Sequence, residues 1–391
     1  MNAPLDAHRW LRYFAVAIVL SACGGGGSGS GNGGGGGGAT GGVAAFVYVL
    51  DFNNGQGTMS GYALDSSSGT LALLAGSPFN NTGGGFAAAV DRMNHVLYVT
   101  STLANSISPI PVSMATGALP APSGQYFTGG GPIAVAVDPG GRFVYTANEG
   151  DNDVSVFSIG GVSASNPVLT PLGGSPFSVG RTPYAIATDP SGNFVYVANR
   201  DDSTVSAFSV DAGTGVLTEI PGSPFPLVSW DQLPVSLTVH PSGKYLFVGT
   251  AQDVTAYSID PATGAIAAVD ASTGAGSTTA GGGQGSTVVD PSGSYLYVAS
   301  DLFLYGFRID PATGYVQLLA NGRTTNGGRF IQLTIDPSGK YLLVTDNSLN
   351  VTNSYKINAA DGSLTPAPGN PFPLIPGSTT GQGPTSIVAV H

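Results

Sequence analysis

Residues able to act as acids, bases or ligands are scarce in this chain, and their types and positions narrow the chemistry open to it. The 391 residues include four histidines, one cysteine, Cys23, and two glutamates, Glu149 and Glu219. General acid–base work needs a titratable side chain within hydrogen-bonding reach of the reacting atom. His8 lies near the start, His391 is the last residue, and His95 and His240 stand in turn-like segments. His240 replaces an aspartate that recurs elsewhere, so a turn role is expected for it. Arg181 and Arg329 each come just before an apolar run and could grip a carboxylate or phosphate through the guanidinium fork. The plainer alternative is that they hydrogen-bond loop carbonyls. Trp230 beside Asp231 suits stacking against a sugar, or else plugs a gap between packed elements. Tyr184 and Gln284 complete the candidate ligand-binding set.

Two acidic stretches, Asn148 to Asp153 and Asn199 to Ser203, offer oxygen ligands of the kind calcium prefers. Neither has the spacing of an EF-hand loop, and Asn, Asp and Gly are also ordinary turn residues. No metal and no cofactor is expected. The glycine tracts contain Gly-x-Gly-x-x-Gly by chance but do not stand between a strand and a helix, so a dinucleotide site is rejected.

The elements that must position these residues are set by a repeat. Asp138-Pro139-Gly140-Gly141-Arg142-Phe143-Val144-Tyr145 recurs as Asp189-Pro190-Ser191-Gly192-Asn193-Phe194-Val195-Tyr196-Val197 and as His240-Pro241-Ser242-Gly243-Lys244-Tyr245-Leu246-Phe247-Val248. Further copies start at Asp290 and Asp336, and a worn one at Asp91, with successive starts 46 to 51 residues apart. Such a period marks a propeller or solenoid array. Each unit holds four short apolar runs bounded by turn residues, the pattern of strands. Asp-Pro-Ser-Gly suits a type I turn. Counting the second run gives seven units, from Phe46–Leu50 to Tyr341–Thr345. The first lacks its inner strand, while Pro384–Val390 is left over and matches Pro132–Val137 and Pro183–Thr188. The expected fold is an all-β, seven-bladed β-propeller over residues 43–391, with four antiparallel strands per blade. Its ring is closed by the C-terminal strand pairing into the N-terminal blade, which removes a free sheet edge.

Phe194-Val195-Tyr196-Val197-Ala198-Asn199, Phe143-Val144-Tyr145-Thr146-Ala147-Asn148 and the Asp-Pro-Ser-Gly turns resemble the YVTN-type repeats of the seven-bladed lactonase family. That group includes propeller-type 6-phosphogluconolactonases and muconate-lactonizing enzymes. The resemblance covers residues 43–391 and implies the fold directly, but its matching words are strand and turn chemistry. For activity it implies His, Arg and Glu near the mouth of the central channel, with a Pro-His-x-His phrase at an inner strand. Here the residues after the equivalent proline are Ile133, Tyr184, Val235 and Thr385, so that phrase is absent from every blade. Long variable segments fall on one face of the predicted ring, where binding would reside.

Residues 1–22 read as a signal peptide, with His8, Arg9 and Arg12 before an apolar run too short to span a bilayer. Leu20-Ser21-Ala22-Cys23 resembles a lipobox, making Cys23 the acylated first residue of a bacterial lipoprotein. Residues 23–42 would then be a flexible Gly/Ser tether. Charged residues form 9% of the chain and the net charge is −11, which argues against nucleic acid as a partner. The favoured sequence reading is a monomeric, membrane-anchored propeller of the cell envelope. It would bind a small sugar or lactone, or an envelope protein, through its long-loop face. The alternative is an enzyme that hydrolyses a sugar-acid lactone, resembling 6-phosphogluconolactonase but with a non-standard site.

Overall fold

The computed structural model describes residues 42–53, 56–79, 84–161, 167–228, 233–250, 253–269, 277–279, 286–300, 303–324, 328–374 and 384–390. These form seven antiparallel sheets arranged as blades. Blade 4 is representative: Pro183–Thr188 lies innermost, followed outward by Phe194–Asn199, Thr204–Val210 and Leu217–Glu219. The inner and second strands are buried throughout, because each blade packs both faces against its neighbours. The inner strands touch in sequence around the ring, and Pro384–Val390 contacts both Gly85–Asp91 of blade 2 and Phe330–Ile335 of blade 7. That C-terminal strand pairs with Val43–Asn53 of blade 1. The predicted seven blades and their closure are therefore both present.

Each part of the repeat phrase has a separate structural use. The buried aspartate closes its own turn: Asp189 Oδ1 accepts the Phe194 N–H at 2.7 Å and Oδ2 accepts the Ser191 N–H at 3.0 Å. Asp290 and Asp336 accept the Tyr295 and Tyr341 N–H groups at 2.7 Å in the same way. The aromatic residue that opens the second strand lies against a glycine in the next blade's outer turn. A Cβ at Gly264 would fall 2.4 Å from Phe194, and one at Gly314 would fall 2.4 Å from Tyr245. Gly264 also has φ near +75°, so both backbone conformation and close approach demand glycine there. Two residues on, the tyrosine hydroxyl ties the same turn: Tyr196 donates to the Gly264 carbonyl at 2.9 Å and Tyr297 to that of Gly362 at 2.9 Å.

Gly-Ser-Pro-Phe, at Gly76–Phe79, Gly174–Phe177 and Gly222–Phe225, has a structural role as well. Its serine accepts a backbone N–H of the third strand, Ser175 from Val156 at 2.9 Å and Ser223 from Ala207 at 3.0 Å. Asn370 does the same for Ser354 in blade 7. The following phenylalanine opens a short fifth strand in blades 3, 4 and 7. That strand was not expected from the sequence; only the recurrence of the motif hinted at it.

Candidate functional site

The loops that leave each second strand share one face of the ring with the segments that lead into the inner strands. One backbone bond recurs there. The Glu149 N–H donates to the Gly131 carbonyl at 2.9 Å in blade 3, Arg200 to Thr182 at 2.9 Å in blade 4, and Asn347 to Arg329 at 3.1 Å in blade 7. Glu149, Arg200 and Asn347 thus take equivalent, half-buried positions beside the start of an inner strand, at the rim of the ring. The polar residue before each of them holds its loop. Asn148 Nδ2 donates to Asp153 at 2.6 Å and to Ser155 at 2.9 Å, and Asn199 Nδ2 donates to Thr204 at 2.9 Å and Ser206 at 2.8 Å. Fully buried Asp346 accepts the Arg329, Ser348 and Leu349 N–H groups, each at 3.0 Å. Asparagines at positive φ stitch the rim from blade to blade. Asn105 accepts the Gly131 N–H at 2.9 Å and Asn152 accepts that of Thr182 at 2.8 Å.

Arg200 is the cation most clearly built into this rim. Its guanidinium carbon stands 5.2 Å from the centre of the Tyr184 ring, within cation–π range. Its Nε is buried and makes no hydrogen bond among the described residues. Because Nε itself is enclosed, a carboxylate or a developing oxyanion would be met by the terminal nitrogens of this half-buried side chain. In the adjoining blade the equivalent position holds Glu149, a carboxylate able to accept a proton.

Of the residues singled out from the sequence, Arg181, Tyr184 and Arg329 are among the described residues and lie beside this rim. Arg181 has a side chain 70% exposed and pairs with Asp202, Nε to Oδ1 at 2.5 Å, while also donating to the Asp201 carbonyl at 3.2 Å. Burial works to raise the Asp202 carboxyl, but the hydrogen bonds and charge of Arg181 outweigh it and hold the group below the ordinary carboxylate range. Arg181 therefore follows the plainer alternative and serves its own loop. Tyr184 is core rather than surface, 1% exposed, and supports Arg200 instead of meeting a ligand directly. Arg329 is half-buried, and its N–H also donates to Ser348 Oγ at 2.8 Å. Trp230, Asp231, Gln284 and Cys23 lie outside the described residues, as do the signal and tether segments.

The acidic stretches bond to the neighbouring loop that leads into the inner strand: Asp151 accepts the Gly130 N–H at 2.6 Å and Asp201 accepts the Thr182 hydroxyl at 2.8 Å. On the opposite face, His240 performs the turn role expected of it. Its Nδ1 accepts the Ser242 N–H at 3.0 Å and its Nε2 pairs with the Gly293 carbonyl of blade 6 at 2.9 Å. Those partners require the neutral ring with the proton on Nε2, and burial lowers its pKa. In the sequence Arg200 and Glu149 each read as part of a turn. Their equivalent offset from the ends of consecutive second strands was the available signal.

Comparison with known proteins adds to this geometry. A family model described as "Lactonase, 7-bladed beta-propeller" matches residues 45–226, 180–281 and 234–372. A 6-phosphogluconolactonase of Formosa agariphila is 36% identical over 87 residues, 22% of this chain and 24% of that protein. One of Pectobacterium atrosepticum is 28% identical over 141 residues, 35% of this chain and 41% of that protein. The chain thus matches less than half the length of either relative. The structure of the periplasmic gluconolactonase of Pseudomonas aeruginosa superposes with a TM-score of 0.69, covering 89% of this chain and 99% of the other. At 14% identity that likeness shows a shared fold.

Proposed function

Because the chain belongs to the lactonase family of seven-bladed β-propellers, we propose that it hydrolyses the lactone of a sugar acid at the long-loop mouth of the ring. The observation that carries this reading is Arg200, a half-buried cation at the rim whose guanidinium carbon lies 5.2 Å from the centre of the Tyr184 ring. Water adds to the lactone carbonyl, Arg200 stabilises the oxyanion that develops, and collapse breaks the acyl–oxygen bond. Glu149 accepts the proton of the attacking water and returns it to the departing ring oxygen. No external reductant, oxidant or metal is required by that balance. The relatives named as lactonases favour this reading over a binding module without turnover, which the anchor and tether together with the missing acid and base residues had suggested.

We further propose export through the N-terminal signal, anchoring through acylated Cys23, and action as a monomer, supported by the sequence of residues 1–42. An exported lactonase would meet unphosphorylated sugar-acid lactones in preference to intracellular phosphorylated ones.

The test is ring opening of glucono-δ-lactone and of 6-phosphogluconolactone by the purified chain, followed with a pH indicator and corrected for spontaneous hydrolysis. Losing the oxyanion donor in Arg200→Ala should lower kcat by about 100-fold or more. Glu149→Gln should lower it by roughly 100-fold or more. Turnover indifferent to both changes would place the chemistry elsewhere.

A further inference from the structure

A cleft of about 560 Å³ lies on the face away from the long loops, between the outer parts of blades 6 and 7. Its floor is a cross-strand row: Tyr295 stands opposite Arg308, and Arg308 stands opposite Gln317. Residues directly opposite one another project from the same face of a sheet, so the three form one strip. The equivalent rows in other blades are Phe143, Ser158 and Thr170 in blade 3, then Phe194, Ser209 and Thr218 in blade 4. Blade 5 has Tyr245, Ser258 and Ala267, and blade 7 has Tyr341, Lys356 and Thr365. Blade 2 has Val96 opposite Pro111, so the repeat needs only an apolar or aromatic residue at the head of the row. The guanidinium and the amide of blade 6 are additions that folding of the repeat does not require.

The rest of the cleft adds to that contrast. Tyr315 is 37% exposed at its edge, where blade 5 has Ala265. Asp310 presents its carboxylate from the turn, with Oδ1 accepting the Ala312 and Thr313 N–H groups at 2.8 and 3.2 Å. Ala359 and Ala360 of blade 7 close the far wall with small side chains. Arg308 lies 6.0 Å from the Tyr295 ring centre and forms no ion pair among the described residues. Cation, amide, carboxylate and a half-open aromatic face converge within a volume typical of small-ligand sites, about 300–1,000 Å³.

We propose that this cleft binds a uronate unit of an acidic oligosaccharide. The ligand carboxylate pairs with Arg308, and ring hydroxyls exchange hydrogen bonds with Gln317 and Asp310. The apolar face of the pyranose lies on Tyr315, where an aromatic surface beside polar groups suits a sugar. Binding here is independent of lactone turnover, since the cleft and the rim lie on opposite faces.

The test titrates the full chain with trigalacturonate, using maltotriose as the neutral control, by calorimetry or ligand-observed NMR. Arg308→Ser with Gln317→Ala converts the row to that of blade 5, which folds with those residues. Tyr315→Ala copies the same blade and serves as an independent variant. Saturable binding of trigalacturonate is expected, weakened at least about tenfold in each variant, with maltotriose far weaker throughout. Absence of saturation at millimolar trigalacturonate, equal binding of maltotriose, or undiminished binding by both variants would overturn the proposal. Lactone turnover, if measured alongside, should be unchanged in these variants.

Discussion

Ring closure by the last strand can be tested at Ile387. This residue is fully buried, stands opposite Val49 of blade 1, and packs in a cluster with Tyr341, Leu343 and Leu374 of blade 7. Val388 and Val390 point the other way, into a cluster with Ala88, Leu97 and Val99 of blade 2. One strand therefore fills both seams beside blade 1. Truncating a buried isoleucine to alanine removes apolar contact and leaves a cavity, costing about 2–5 kcal/mol. A domain's whole stability is about 5–15 kcal/mol. In a chain of this size the loss should lower Tm by roughly 4–10 °C, near the shallow end of the usual scaling. Leu73→Ala is the control, an outer-strand leucine 53% exposed, whose loss should cost no more than about 0.5 kcal/mol. Both variants would be followed by circular dichroism on heating and by urea unfolding. A stop after residue 383 should abolish the cooperative transition. If Ile387→Ala melts like Leu73→Ala, the strand does not close the ring as described.

Three further outcomes follow from the same geometry. Gly264→Ala should destabilise by roughly 2–5 kcal/mol, since it strains a left-handed residue and drives a methyl group into Phe194. Gly173→Ala, with nothing within 4 Å of its added Cβ, should be neutral or slightly stabilising, and urea midpoints of the two compare them directly. Ser223→Ala leaves the buried third-strand N–H of Ala207 without its acceptor and should cost about 1–3 kcal/mol, read from the same curves. His240 has a folded pKa below its ordinary 6.5, so the unfolded chain binds its proton more readily. The stability this residue contributes is full above that value and is lost as pH falls through the folded pKa. His240→Asp restores the repeat's usual turn residue and should flatten the decline in urea midpoint between about pH 7 and pH 5. Parallel pH curves for the variant and the original chain would contradict the assignment.

The blades were legible in the sequence because turns and strands are local: Asp-Pro-Ser-Gly and alternating Phe-Val-Tyr specify their own conformation. What escaped were contacts between blades. Gly264 reads as a turn glycine whether or not Phe194 of the preceding blade lies against it, and Phe225 reads as a buried aromatic before its short strand is seen. The same limit affected the site. Arg181 looked poised at the channel because it precedes an inner strand. Thr182, however, adopts φ near +56° beside it, and Asp202 holds the guanidinium out on the loop. Arg200 looked like one more charge in an acidic turn. Only the fold brings it over Tyr184, which local sequence could identify as a strand residue but not as the platform for a cation.

Lactone ring opening by the purified full chain, compared with Arg200→Ala over matched substrate concentrations, tests the central claim most directly. Turnover faster than in buffer that falls by about 100-fold or more when Arg200 is removed is the predicted result. Spontaneous-rate hydrolysis in the presence of the original chain, or full turnover by Arg200→Ala, would contradict it.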